Sequence, residues 1–147
     1  KVEKNLEKFL PHKINNRWLE FAFKKVNYKV PPEPIEKAIL KPLREFIFRG
    51  GKRWRPCLFL LLSEAFGQKT NKAFEEISVI PELIHNGTLI IDDVEDRAEL
   101  RRGKPALHKI FNLDITVNAG NFIHFFPLLI FEKHKKKFSL EARERFY

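Results

Sequence analysis

His85, Thr88, Asp92 and Asp96 follow one another at intervals of three, four and four residues. At 100° per residue, a helix gathers all four within an arc of about 80° on one face. Asp92 and Asp96 then lie one turn apart, about 6 Å along the axis, so their carboxylates can share or neighbour a divalent cation. Mg2+ suits such a pair, because it takes one or two carboxylates, keeps waters and completes its octahedron with phosphate oxygens. Surface pairing, for example Asp93 with Arg97, is the simpler use of these charges and adds little stability. Position favours the metal: Asp92, Asp93, Glu95 and Asp96 crowd the end of a helix, where the dipole disfavours negative charge unless a cation compensates.

Two basic clusters flank this stretch. Arg101, Arg102 and Gly103 follow the acids directly, and Gly50-Gly51-Lys52-Arg53-Trp54-Arg55-Pro56 lies upstream. Guanidinium forks fit phosphate oxygens two at a time and stay charged at any physiological pH. The glycine pair lets the backbone approach a ligand and aims Lys52 and Arg55 from a turn, although a plain helix-to-helix turn needs the same glycines. His85 by itself reads as a core histidine. Two turns before Asp92 on the same face, it becomes a third donor to phosphate. Acids for Mg2+ beside cations for phosphate make a diphosphate site.

The elements that must position these groups are helical, since no segment alternates with period two. The fold class is all-α, with one helical domain over residues 1–147. One helix is expected from about Asn15 to Val26, followed by an extended linker, Lys29 to Pro34, rich in proline. A second runs from Pro34 to Phe48 and stops at Gly50. A third, Arg53 to Phe66, is nearly apolar all round, which predicts a central position and a buried Cys57. The longest is expected from Asn71 to Asp96, capped by Thr70 and kinked at Pro81. A further helix, Asp114 to Lys133, ends in the basic tract Glu132 to Lys137, which reads as a solvated end favourable to the macrodipole. Ser139 caps a last helix that reaches Tyr147 without a stop signal, so that element looks cut. Methionine is absent, position 1 included, which predicts that the natural start lies upstream.

Composition narrows the classes. With 147 residues and 44% hydrophobic content, the chain can bury one core. A single cysteine excludes a disulfide framework and a thiolate metal cluster. The apolar run Phe122 to Phe131, broken by His124 and Pro127, falls short of the roughly 18 to 20 residues of a membrane span. With no signal-peptide pattern, a cytoplasmic protein without an integral membrane segment is expected. The formal charge of +9 calls for an anionic partner. No RNA-binding consensus or zinc-ligand spacing appears, and the cations are scattered outside the two clusters, which argues against nucleic acid.

Three blocks, GGKRWRP at Gly50–Pro56, LIHNGTLIIDDVED at Leu83–Asp96 and RRGKPALHKIFN at Arg101–Asn112, resemble in order and spacing the all-trans polyprenyl diphosphate synthases, the family of farnesyl and geranylgeranyl diphosphate synthases. Class I terpene cyclases share an aspartate-rich helix but lack the first block. The resemblance implies a bundle of long helices around a deep cavity, the isoprenoid synthase fold. There an allylic diphosphate ionises under Mg2+ and isopentenyl diphosphate attacks the carbocation. Carried over by position, Asp92 and Asp96 hold Mg2+ on the allylic diphosphate, and Arg101 contacts that diphosphate. Lys52, Arg55, His85 and Arg102 hold isopentenyl diphosphate. Gly87 and Thr88, five and four places before the first aspartate, bear on product length, and their small size implies geranylgeranyl diphosphate or longer. The Phe122 to Phe131 stretch either lines the cavity or packs the core.

The resemblance covers only the N-terminal half of the family pattern. The second aspartate-rich motif and the later lysines of that pattern have no counterpart here. A hetero-oligomer is therefore expected, in which a second polypeptide supplies the C-terminal half, as a split subunit or as the other piece of a trimmed chain. A non-catalytic regulatory subunit of a separate synthase is the alternative, opposed by the presence of Asp92, Asp96, Arg101 and Arg102 together.

Overall fold

The computed structural model describes residues 1–146. Helix α1 (Val2–Phe9) turns Leu6 and Phe9 inward, a spacing present in the sequence but outrun by its charged neighbours. α2 (Asn16–Phe23) starts where the Asn15 Oδ1 accepts the Trp18 amide at 2.9 Å. Trp18 then donates from its indole nitrogen to the Phe9 carbonyl at 2.9 Å and stacks on Phe126, which ties α1 and α2 to the core.

The expected linker at Lys29 to Pro34 is shorter, because α3 (Pro32–Ile35) already begins at Pro32. Amides of a first turn lack partners anyway, so prolines lose nothing there. Between α3 and α4 (Lys41–Ile47) the helix widens into a π turn over Glu36–Leu40. Pro42 explains it: the residue has no N–H to give to Ala38, and its ring would press on that carbonyl. The Lys41 amide bonds back to the Glu36 oxygen.

α5 (Trp54–Ala65) is not central. Pro56 is its buried residue, whereas Leu61 is 64% exposed, the following Phe66 81%, and Cys57 is exposed as well. The apolar composition predicts an interior helix, but the apolar face of α5 is largely exposed in this chain.

The single helix expected from Asn71 to Asp96 is two, α6 (Lys72–Ile77) and α7 (Ile80–Glu95). Asn71 rather than Thr70 caps the first, its Oδ1 accepting the Ala73 amide at 2.9 Å. Pro81 falls in the first turn of α7, where it starts a helix instead of kinking one. The longest helix is α9 (Leu113–His134), reached through the short α8 (Leu107–Ile110). A 3-10 turn, Lys135–Lys137, leads to α10 (Leu140–Phe146), capped by the Ser139 hydroxyl on the Ala142 amide; the expected end at Tyr147 lies outside the described residues.

α7 and α9 form the centre and run antiparallel. A Cβ on Gly87 would meet Ile123 at 2.7 Å and the Gly120 oxygen at 3.2 Å, while one on Gly120 would meet Ile90 and Ile91. Contacts that climb α7 thus descend α9. Two glycines at one crossing let the backbones approach to a distance that side chains would forbid.

By length and composition, Leu113–Lys137 is long and apolar enough to cross a membrane, contrary to the reading from the shorter Phe122 to Phe131 run. Here Ala119, Gly120, Ile123, Phe126 and Ile130 are buried among the other helices, so α9 serves as the bundle's core helix. The all-α expectation holds apart from a ribbon of two residues per strand, β1 (Leu100–Arg101) and β2 (Lys104–Pro105).

Candidate functional site

α7 carries the acids on its last turn. Asp92 has its side chain 55% exposed, Asp96 is exposed, and Asp93 is fully buried. The inward carboxylate belongs to Arg101, whose Nε donates to Asp93 Oδ1 at 2.7 Å. The surface pair of Asp93 with Arg97, the simpler alternative in the sequence, is not made, because Asp93 is buried against Arg101. The same guanidinium stands 3.7 Å from the outer carboxylate, Asp92 Oδ2. The Asp93 bond raises the Arg101 pKa against the opposing effect of burial, so the charge is fixed in place.

The ribbon delivers the arginines. Arg102 and Gly103 have φ of 54° and 73°, the left-handed pair that closes a two-residue hairpin. Arg49 clamps it by donating to the Arg101 and Pro105 carbonyls at 3.2 and 2.9 Å. Arg102 reaches back to the Gly50 carbonyl at 2.7 Å and to Asn86 Oδ1 at 3.2 Å, with its guanidinium 5.5 Å from the Phe46 ring.

Beneath lies a network that sequence reasoning missed. Arg53, with φ of 48°, is buried and donates to Glu82 Oε1 at 3.0 Å, to Glu3 at 2.8 Å and to the Ile47 carbonyl at 2.6 Å. Asn86 donates to the Glu82 backbone oxygen at 2.7 Å. Glu82 and Asn86 stand one turn apart on the buried side of α7, a side that their spacing alone does not reveal. A Cβ on Gly51 would lie 3.5 Å from Arg53 and 3.8 Å from Arg102, so the glycine turn sits against both guanidinium groups.

Arg55, His85, Arg101 and Arg102 share one electrostatic neighbourhood. Burial holds the His85 pKa below its ordinary value, Arg55 lowers it further, Glu82 opposes, and Arg102 and Arg101 add to the lowering. The imidazole is thus neutral at neutral pH. Arg55 spends its charge over the Trp54 ring, 4.6 Å away. Lys52 is exposed and, among the described residues, has no side-chain partner. Thr88 is exposed, its hydroxyl bonded to the His85 carbonyl at 2.7 Å. Gly87 lies under α9 at the crossing with Gly120, so its small size is already required by packing.

Among the described residues, no three His, Cys, Asp or Glu side chains converge as a metal cluster. Two exposed carboxylates one turn apart, Asp92 and Asp96, nevertheless fit Mg2+, which leaves most of its positions to water and phosphate oxygens. Asp93 is excluded, being buried and held by Arg101.

A family model described as polyprenyl synthetase matches residues 36–145. The chain belongs to that family. Within it, a geranylgeranyl pyrophosphate synthase of Geoglobus acetivorans is 35% identical over 104 residues, covering 69% of this chain and 32% of the relative. One from Neocamarosporium betae is 32% identical over 105 residues, covering 71% and 30%. In structure, a polyprenyl synthase from Caulobacter crescentus, complexed with calcium and isoprenyl diphosphate, superposes with TM-score 0.62 at 27% identity, covering 97% of this chain and 38% of that one. The geranylgeranyl pyrophosphate synthetase of Geoglobus acetivorans shares the fold at TM-score 0.68, covering 90% and 36%. The chain spans about a third of the length of the curated relatives it matches. The resemblance read from the three blocks, and the mostly helical isoprenoid synthase fold, are therefore established for this polyprenyl synthetase family member.

Proposed function

We propose that this chain is one subunit of a short-chain trans-prenyltransferase, which joins isopentenyl diphosphate to an allylic diphosphate and is completed by a second polypeptide bearing the second aspartate-rich motif. The observation that carries the reading is the outer carboxylate of Asp92, exposed on the last turn of α7 and 3.7 Å from the Arg101 guanidinium. Support for a partner comes from the share of the relatives that is matched and from the bare apolar face of α5 next to α7.

Asp92 and Asp96 would hold Mg2+, whose part is to neutralise the oxygens of the departing diphosphate. Arg101, fixed by Asp93, adds a cation where negative charge grows as the allylic carbon–oxygen bond breaks and its electron pair passes to the diphosphate. The double bond of isopentenyl diphosphate then attacks the allylic cation, the new carbon–carbon bond forms, and a proton passes from the neighbouring carbon to an oxygen of the released diphosphate, which restores the double bond. Arg55, His85 and Arg102 would seat the second diphosphate, with Lys52 reaching in from the exposed turn. Neutral His85 donates one N–H without adding charge. Exclusion of water from the cation would require the face between α5 and α7 to be covered. Thr88 is the accessible position for limiting product length.

The test is reconstitution. Mixed with the complementary subunit, Mg2+, isopentenyl diphosphate and an allylic diphosphate, the chain gives a prenyl diphosphate product by mass spectrometry. Asp92→Ala lowers turnover by at least about a hundredfold and spares isopentenyl diphosphate binding. No turnover from a properly assembled complex, or an equal loss of turnover and binding, refutes the proposal.

A further inference from the structure

A second charged site lies at the other end of the bundle. Glu76 on α6 is 1% exposed, and three donors converge on it: Lys8 from α1, Lys133 Nζ at 2.5 Å, and His134 Nε2 at 2.8 Å. Because α7 and α9 are antiparallel, the end of α9 lies beside the start of α7, roughly 20 Å of helix from Asp92 by the 1.5 Å rise per residue. The basic tract read as a solvated helix end is therefore partly built into the fold.

These groups line a cavity of about 520 Å3 together with Arg17, Lys72 and Lys137. Five cationic side chains meet one carboxylate there, and that carboxylate is already shared among three donors. Arg17, Lys72 and Lys137 are exposed and, among the described residues, have no side-chain partner. An ammonium carries three donors, so Lys8 and Lys133 keep N–H groups beyond those on Glu76. Burial holds the Lys133 pKa below its ordinary value; the Glu76 bond opposes this and Lys8 adds to the lowering. Two lysines share one carboxylate, and the positive charge in the cavity is undercompensated.

We propose that this cavity binds a phosphate-bearing ligand, its phosphate seated among Lys8, Lys133 and the free cations Arg17, Lys72 and Lys137. Several donors with no fixed planar partner suit a tetrahedral oxyanion that accepts from all sides. The volume leaves room for a body beyond the phosphate, which is either a soluble molecule or a lipid headgroup. The proposal is independent of the catalytic reading, because none of these residues belongs to the site at Asp92.

The test uses the full chain in Mg2+-free buffer. Inorganic pyrophosphate should shift the backbone amide resonances of Ala73, Glu76 and His134 in a saturable way. Arg17→Ala/Lys72→Ala/Lys137→Ala, three exposed substitutions that break no bond in the fold, should weaken that response by about tenfold or more and leave the response at the His85 amide unchanged. Binding to vesicles of phosphatidic acid in phosphatidylcholine, lost in the triple variant and absent with phosphatidylcholine alone, assigns the phosphate to a lipid. Saturation by pyrophosphate without vesicle binding assigns it to a soluble ligand. The proposal is overturned if neither probe binds at these amides, if sulfate at equal ionic strength acts as strongly, or if the triple variant binds as the parent does.

Discussion

Arg101 donates from Nε to the buried Asp93 carboxylate at 2.7 Å while standing 3.7 Å from the exposed Asp92 carboxylate. Two adjacent acids on one helix thus have different tasks. The inner one holds the arginine, and the outer one, exposed and only at long range from it, keeps oxygens accessible to a cation. Asp93→Asn should lower stability by about 1.5–3 kcal/mol, the usual cost of losing a hydrogen bond to a charged group, whereas Asp92→Asn should change stability by less than about 0.5 kcal/mol. Urea denaturation of both variants checks the contrast.

His85 should titrate below its unperturbed value of about 6.5, for burial and then Arg55 disfavour the imidazolium. Arg55→Gln removes the largest charge acting on it, so the His85 pKa should rise. Histidine ring resonances followed against pH read both effects. A His85 pKa unmoved by Arg55→Gln contradicts the arrangement.

Glu76 supplies an acid-sensitive element of stability. Burial alone would raise its pKa, but hydrogen bonds from Lys133, Lys8 and His134 outweigh burial and lower it to about 2. A carboxylate depressed in the folded state stabilises fully above its unfolded pKa, near 4.3, and that contribution is lost as pH falls towards 2. The contribution is on the order of 3 kcal/mol. Glu76→Gln should therefore lower stability at neutral pH and flatten its decline between roughly pH 4.5 and 2, measured as the urea midpoint across that range.

Gly87→Ala should destabilise by about 1–2 kcal/mol despite the better helix propensity of alanine. The new methyl meets the branched Ile123 side chain and a backbone oxygen, neither of which yields easily. Gly120→Ala should cost less, since its nearest atom is the tip of Ile91. Thermal unfolding of the two variants orders them.

The acidic face was legible because it depends only on the helical period and on residue type: His85, Thr88 and Asp92 lie on α7. The basic clusters were legible by residue type alone, since Arg101 and Arg102 are carried by a two-residue hairpin that no periodicity announced. Arg53, Glu82 and Asn86 were not legible: their roles depend on which side of α7 faces inward and on the left-handed backbone at Arg53, both set by tertiary packing. The misplacement of α5 has a related cause. Apolar content measures a preference for burial, and burial is a property of what stands opposite; here Leu58, Leu61 and Leu62 stay largely exposed among the described residues. The division of α6 from α7 was missed because Pro81 suits a helix start as well as a kink, and only the Asn71 cap and the break at Ser78–Val79 decide between them.

The wide turn at Glu36–Leu40 and the ring of Pro42 behave as one unit under insertion and deletion. Removing a residue from that turn would re-form ordinary four-residue bonding and drive the pyrrolidine into a carbonyl, at about 3 kcal/mol. It would also rotate everything upstream of the cut by about 100° about the helix axis, carrying Ile35 away from the core it packs on. The same deletion made together with Pro42→Ala escapes the collision but not the rotation. Chain length in this segment is thereby locked by an imino acid that makes no contact with the chemistry.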